Sequence, residues 1–465
     1  MGFYDAIRVG ASGAADSAFT VDRSLRFNDD DSAYLNRTPS NGGDRRVFTL
    51  SWWIKLGNSA NSTSTYTIFS AQRSTLNPSL EIRLQENRLV IVGNKDGSSS
   101  SYMFSLVTEQ LFRDPSAWYH FVVAFNTSDS TSSNRIKIYV NGSQITSFSA
   151  GSTGLTADTY PSSGDQTSWG TNEAEQQIGR KFGGSAYFDG YLAEINVVDG
   201  SQLAPSSFGE TDSTTGQWIP KKYTGSYGNS DNGYYLNFSD NSGTSSTTLG
   251  KDSSGNGNNF TPNNFSVATW PDTDSVEDTP TNNFCTLNPL DKNSDVVLAN
   301  GNLQTATTAT AGHYPVFSTM SMKGGKWYVE AKLLTNDGFL GSIMNIQHDG
   351  GSHNVDSTVG NPTSAVNKAG YGLLTGDGRK SHDGTLTSYG SAISGSDIWM
   401  CAFDADNGKI YWGKNGTFFA SGDPASGTNA AYTGIDTSIT WNFAWHHYGN
   451  NNNVSVNFGQ QGFTY

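Results

Sequence analysis

The sequence predicts an all-β chain, built as two tandem antiparallel β-sandwiches with long polar loops and few short helices. Three observations lead there. Short runs with strand-like alternation recur along the chain, each bounded by Gly, Asn, Asp or Ser clusters. Aromatic residues make up 12 % of the 465 residues, charged residues only 15 %, and 52 residues are glycine, a mixture of strand formers and turn formers. No segment sustains the apolar period of a surface helix over successive turns.

The strands follow in order. Residues 9–16, Val-Gly-Ala-Ser-Gly-Ala-Ala-Asp, hold too little apolar side chain to bury and read as a docking or anchor segment ending near residue 22. From Ser24 to about Asp199, strand patterns alternate with turn clusters. The clearest are Phe48-Thr49-Leu50-Ser51-Trp52-Trp53-Ile54, Leu80–Leu84, Arg88–Val92, Trp118–Phe125, Arg135–Val140 and Tyr187–Ile195. Asn141-Gly142 closes one of them as a hairpin turn. Residues 200–284 are irregular and polar around one good strand, Tyr234-Tyr235-Leu236-Asn237-Phe238. A second strand-rich block begins near Cys285, with Lys326–Lys332, Ile398–Phe403, Lys409–Trp412, a turn at Asn415-Gly416 and a closing strand at Val454–Phe458. The expected domains are therefore 1–22, 23–284 and 285–465.

Charge and cysteine content exclude several roles. Lys and Arg total 28 against 42 Asp and Glu, a net charge of −14, which opposes nucleic-acid binding and docking on anionic lipid. No apolar run is long enough to span a bilayer, and the start Met1-Gly2-Phe3-Tyr4-Asp5-Ala6 lacks the regions of a secretory signal. The two cysteines, Cys285 and Cys401, form neither a disulfide scaffold nor a zinc cluster and read as inert thiols.

The first block resembles the laminin-G-like, concanavalin-type jelly roll. The resemblance rests on an ordered series: Ser24–Phe27, Ser32–Leu35, Thr49–Lys55, Trp118–Val122, Ile138–Gly142 and Phe188–Ile195. The turn Asp252-Ser253-Ser254-Gly255-Asn256-Gly257-Asn258 is similar to a laminin-G motif that usually follows the first strand, so residues 230–284 are expected to return and complete the same sandwich. The second block resembles a SPRY domain over about residues 310–465, through Gly325–Glu330, Gly370-Tyr371-Gly372, Asp404–Tyr411, Lys414-Asn415-Gly416 and Val454–Gln460. The arrangement as a whole resembles appendage proteins of marine bacteriophages.

Candidate sites follow from residue chemistry and from these resemblances. Concanavalin-type glucanases carry Glu-x-Asp-x-Glu on one strand, which places three carboxylates on one face. That triplet is absent; Glu81–Glu86 and Glu194–Asp199 have the wrong spacing. His348 and His353 flank a Gly/Ser loop without a zinc pattern. Calcium is the one cofactor the sequence raises. Alternating carboxylate and amide oxygens at Asp252, Asn256 and Asn258 suit a hard cation, the alternative being an Asx-turn cluster without an ion. Sugar recognition pairs aromatic faces with amide side chains, and Trp169, Trp445, Tyr448 and Asn450 offer both, core packing being the alternative for each Trp. The SPRY resemblance adds Asp377, Arg379, Tyr389 and the 446–453 loop, including His446 and His447, to a loop-end ligand surface.

The expected role is a non-enzymatic structural protein of a phage virion, a head or tail fibre or decoration. It would display glycan- or receptor-binding sandwiches for host adhesion, be made in the host cytoplasm, and dock on other virion proteins through its N-terminal segment. A host surface glycan or protein is the expected partner, and a homo-oligomer, trimers included, is the assembly the resemblance implies. A polysaccharide-cleaving glycoside hydrolase and a purely structural virion module are the alternatives.

Overall fold

The computed structural model describes residues 19–61, 63–73, 79–94, 102–151, 153–228, 231–307, 313–335, 339–344, 370–382, 385–448 and 453–465. They fall into two units. One holds residues 19–268 and 272–283, and the other residues 269–271 and 284–465. Each is an antiparallel β-sandwich. The described residues contain no α-helix, only short 3-10 turns such as Ser132–Asn134 and Pro205–Ser207, and no helix able to cross a membrane.

The first sandwich pairs two eight-stranded sheets. One runs Ser143–Ile145, Ile136–Val140, Trp118–Asn126, Val47–Leu56, Gly190–Asp199, Ser24–Phe27 and Ser275–Val276, with Tyr234–Leu236 joined to Gly190–Asp199. The other runs Asp158–Thr159, Tyr102–Val107, Arg88–Asn94, Ser79–Gln85, Thr65–Gln72, Glu175–Ile178, Tyr34–Arg37 and Thr261–Asn263. Residues 234–276 thus return to add strands to both sheets. Phe48, Leu50, Trp52 and Ile54 alternate into the core, where they meet Ile68, Phe69, Ile82 and Leu106 of the facing sheet. The rings of Trp52 and Phe69 stand edge to face at 4.9 Å.

The outer face of Val47–Leu56 is buried as well, because loops cover it. Lys55 and Asp278 form a fully buried ion pair of 2.6 Å, and Trp118 Nε1 donates to the second Asp278 oxygen at 3.0 Å. His120 is buried and pushed down to about 3 by desolvation. It accepts from Trp218 Nε1 at Nδ1, 2.9 Å away, so its Nε2–H faces Ser51 Oγ at 2.8 Å. Asn141-Gly142 makes the hairpin turn the sequence implies, with φ of 46° and 81°. A Cβ on Gly142 would lie 2.6 Å from the Trp218 ring.

The second sandwich also has two sheets. One runs Leu287–Lys292, His313–Met322, Trp441–Tyr448, Phe339–Met344, Tyr371–Leu374, Lys380–His382 and Thr385–Thr387. The other runs Val296–Ala299, Gln304–Thr307, Asn453–Asn457, Lys326–Leu333, Ile398–Asp404, Lys409–Lys414 and Thr417–Phe418. Trp399 and Trp445 meet across its core at 5.4 Å, nearly perpendicular. Cys401 lies in this core and Cys285 is partly buried, and no disulfide joins them.

Candidate ligand-binding cavity

The outer face of the first sandwich carries a cavity of about 550 Å³ built around an irregular strand. Pairing of Gly190–Asp199 with Val47–Leu56 slips between Ala193 and Asn196. Glu194, at φ 50°, is the residue placed in the bulge. Leu192, Ile195 and Val197 face the core, whereas Glu194 turns outward beside Tyr235. Tyr235 comes from the strand paired with Asn196, and its neighbours Tyr234 and Leu236 point inward.

Hydrogen bonds hold this set in place. The Tyr235 hydroxyl donates to Glu194 Oε2 at 2.6 Å, and the Tyr227 hydroxyl to Asn196 Oδ1 at 2.7 Å. Asn196 Nδ2 returns to the carbonyl of Glu194 at 3.0 Å. The Tyr227 and Tyr235 rings stack at 6.1 Å, and Tyr223 meets Tyr227 edge-on at 5.1 Å. Phe19, Thr20 and Asp22 form another part of the wall. Its position is fixed by buried Val21, whose N–H donates to Thr281 Oγ1 at 3.0 Å. Asn237, Ser239, Ser253, Ser254 and Asn256 add hydroxyl and amide groups to the lining. Burial pushes the Glu194 carboxyl up to about 7; the Tyr235 bond and Lys222 oppose the rise, and Asp22 adds to it.

The Asp252 turn shapes the cavity's edge. Asp252 Oδ1 accepts from the N–H of Tyr235 at 2.9 Å and of Ser254 at 2.8 Å, and Oδ2 from the N–H of Asn258 at 2.8 Å. Asn256 and Asn258 both donate their amides to the carbonyl of Gly233, at 3.0 and 2.8 Å. Asn258 Oδ1 accepts from the Arg37 guanidinium at 2.7 Å. This donor set does not fit calcium: N–H groups occupy the carboxylate, and a cation already sits on one of the proposed ligand oxygens. The turn instead fixes Tyr235, whose N–H it holds.

The other sites expected from sequence are dispersed. Trp169 is buried in the core edge-on to Phe69 at 6.1 Å, so it presents no face to a ligand. Trp445, His446 and His447 are likewise buried. They lie on a strand flanked by hydrogen-bonded neighbours on both sides, which removes them from the loop end where a ligand surface was expected. His447 Nε2 lies 3.0 Å from Thr305 Oγ1, and burial pushes its pKa down to about 3. Tyr448 ends that strand. Asn450, with His348, His353 and residues 1–18, lies outside the described residues. Asp377 and Arg379 form an exposed ion pair of 2.6 Å within one turn. Tyr389 is half-buried against Trp412 and Phe419, and burial pushes its hydroxyl up to about 12. Sequence reasoning missed Asp22, Glu194, Tyr223, Tyr227 and Tyr235. The spacing of Tyr223 and Tyr227 next to the strand at Tyr234 was the available signal.

Residues 28–205 match a laminin-G family model. It is described as the concanavalin A-like lectin/glucanases superfamily. Of the described residues lining the cavity, Glu194 alone falls within the matched span. Among solved structures, the chain is similar to the SPRY domain of human HERC1, at 15 % identity over 37 % of this chain and 96 % of that one, with a TM-score of 0.29. It is also similar to the PSpry domain of TRIM65, at 14 % identity over 37 % and 89 %, TM-score 0.27. A third is the native heptameric SAP-like pentraxin from Limulus polyphemus, at 21 % identity over 40 % and 78 %, TM-score 0.27. No curated protein matches the chain.

Proposed function

We propose that this chain is a non-enzymatic virion protein, a head or tail fibre or decoration, whose first sandwich holds a host surface glycan for adhesion. The observation that carries the binding role is the outer-face cavity. Stacked tyrosines there stand beside serine hydroxyls and asparagine amides, the combination by which proteins grip the apolar face and the hydroxyl rim of a sugar ring. The virion setting rests on the resemblance of the whole arrangement to phage appendages, with attachment through the N-terminal segment, assembly as a homo-oligomer, and display on the particle surface.

Polysaccharide cleavage is the second reading, because Asp22 and Glu194 both line the cavity and hydrolysis uses two carboxylates. Adsorption of the purified chain to host cells, blocked by free glycan, with no reducing ends released, is the result expected. Release of reducing ends would replace adhesion with cleavage. Incorporation into particles without adsorption would leave a structural module, and absence of the chain from particles would remove the virion role.

A further inference from the structure

The cavity joins a buried acid to a polar, nearly charge-balanced lining. Besides Glu194, its formally charged residues are Asp22 on the N-terminal wall and Lys222 on the covering loop. Tyr235 faces Glu194 from the neighbouring strand, with Tyr223 and Tyr227 above it, and Asp252 stands behind Tyr235. Among the described residues, no histidine lines the cavity. Burial raises the Glu194 carboxyl to about 7, and the bulge aims it at the space a ligand would fill.

We propose that this cavity takes an uncharged, hydroxyl-bearing ligand with Glu194 in its neutral acid form, so that ligand binding and proton uptake are coupled. The proposal rests on the glycan-binding reading above and gives that site its ligand charge and its regulation. The physical reason is desolvation. Tyr235 already spends its hydroxyl on Oε2 at 2.6 Å, and a ligand filling the cavity displaces water from the remaining side of the carboxyl. An ionised carboxylate loses most from that exchange, while a carboxylic acid keeps one O–H to donate to a ligand oxygen. By linkage, a ligand that disfavours the charged form binds more weakly as pH rises through the pKa of the free site. An ammonium-bearing sugar would show the reverse dependence.

The magnitude follows from the population of the competent form. With Glu194 titrating near about 7, its neutral fraction falls from nearly all at about pH 5.5 to about 3 % at about pH 8.5, so affinity should fall about 30-fold. The test uses the full chain, with cello-, laminari-, manno- and maltohexaose as neutral probes and N,N,N-trimethylated chitosan hexamer as a permanently cationic one, titrated by calorimetry across that range. A neutral probe should bind about 30-fold more weakly at the alkaline end, with proton uptake near neutrality revealed by repeating the titration in buffers of different ionisation enthalpy. Glu194→Gln should bind the same probe equally at both ends. Binding of a neutral probe without pH dependence or proton uptake would overturn the coupling and leave the glycan site standing. Failure of every probe at every pH would overturn the site itself, and tighter binding of the trimethylated chitosan hexamer at high pH would overturn the assignment of an uncharged ligand.

Discussion

Replacing Glu194 by Gln should make the protein more stable at alkaline pH and change little in acid. Glu194 is buried, and its carboxyl is pushed from 4.5 up to about 7 by desolvation. Because the folded value lies above the unfolded one, the favourable contribution is fully present below 4.5 and is lost as pH rises through about 7. At about 1.4 kcal/mol per unit, the alkaline cost is about 3 kcal/mol. Glutamine is neutral at every pH, and its carbonyl can still accept from Tyr235. The buried Asp199, also raised by desolvation, to about 6, follows the same trend in both proteins and cancels in the difference. Urea unfolding of both full chains at about pH 5 and about pH 8.5 measures this, with the variant ahead by about 2–3 kcal/mol only at the higher pH. An equal difference at both pH values, or a variant less stable at both, would refute a desolvated Glu194.

Three further outcomes follow from the packing. Asp278→Ala should cost about 3–5 kcal/mol, because it strands Lys55 in the interior; denaturant midpoints of the two chains test it, and a loss below about 1 kcal/mol would mean that water reaches Lys55. Trp169→Ala should lower stability by about 3–5 kcal/mol through an unfilled core, yet leave glycan affinity per folded molecule unchanged in calorimetry; a selective loss of affinity would return Trp169 to the binding surface. Asp252→Ala should lower the melting temperature equally in EDTA and in millimolar calcium, since the carboxylate serves three backbone N–H groups. Stabilisation of the parent chain by calcium, absent in the variant, would restore the ion site.

Much of the fold was legible because strand signals are local. Phe48, Leu50, Trp52 and Ile54 announce an inward face at period two, and Asn141-Gly142 and Asn415-Gly416 announce turns whose residues do adopt positive φ. The outer layer was not legible. Nothing local in Thr49, Ser51 or Lys55 says that loops more than a hundred residues away will bury them. The same gap misplaced Trp169, Trp445, His446 and His447: an aromatic or imidazole next to polar residues reads as a binding surface until its neighbouring strands are known. Glu194 was set aside for a related reason. The segment Glu194–Asp199 lacks a carboxylate triplet at period two, and the slip between Ala193 and Asn196, which turns Glu194 outward, leaves no trace in that pattern. The Asp252 turn was recognised for its oxygens, but its amides and Arg37 decide its chemistry.

The binding site itself is tested most directly by hydrogen–deuterium exchange of the full chain with and without a saturating oligosaccharide that it binds. Protection is expected in 222–228, in 234–237 and in 253–256, the segments that line the cavity. Protection confined to 377–389 or 441–448, with the cavity segments unchanged, would contradict the assignment and move the binding surface to the second sandwich.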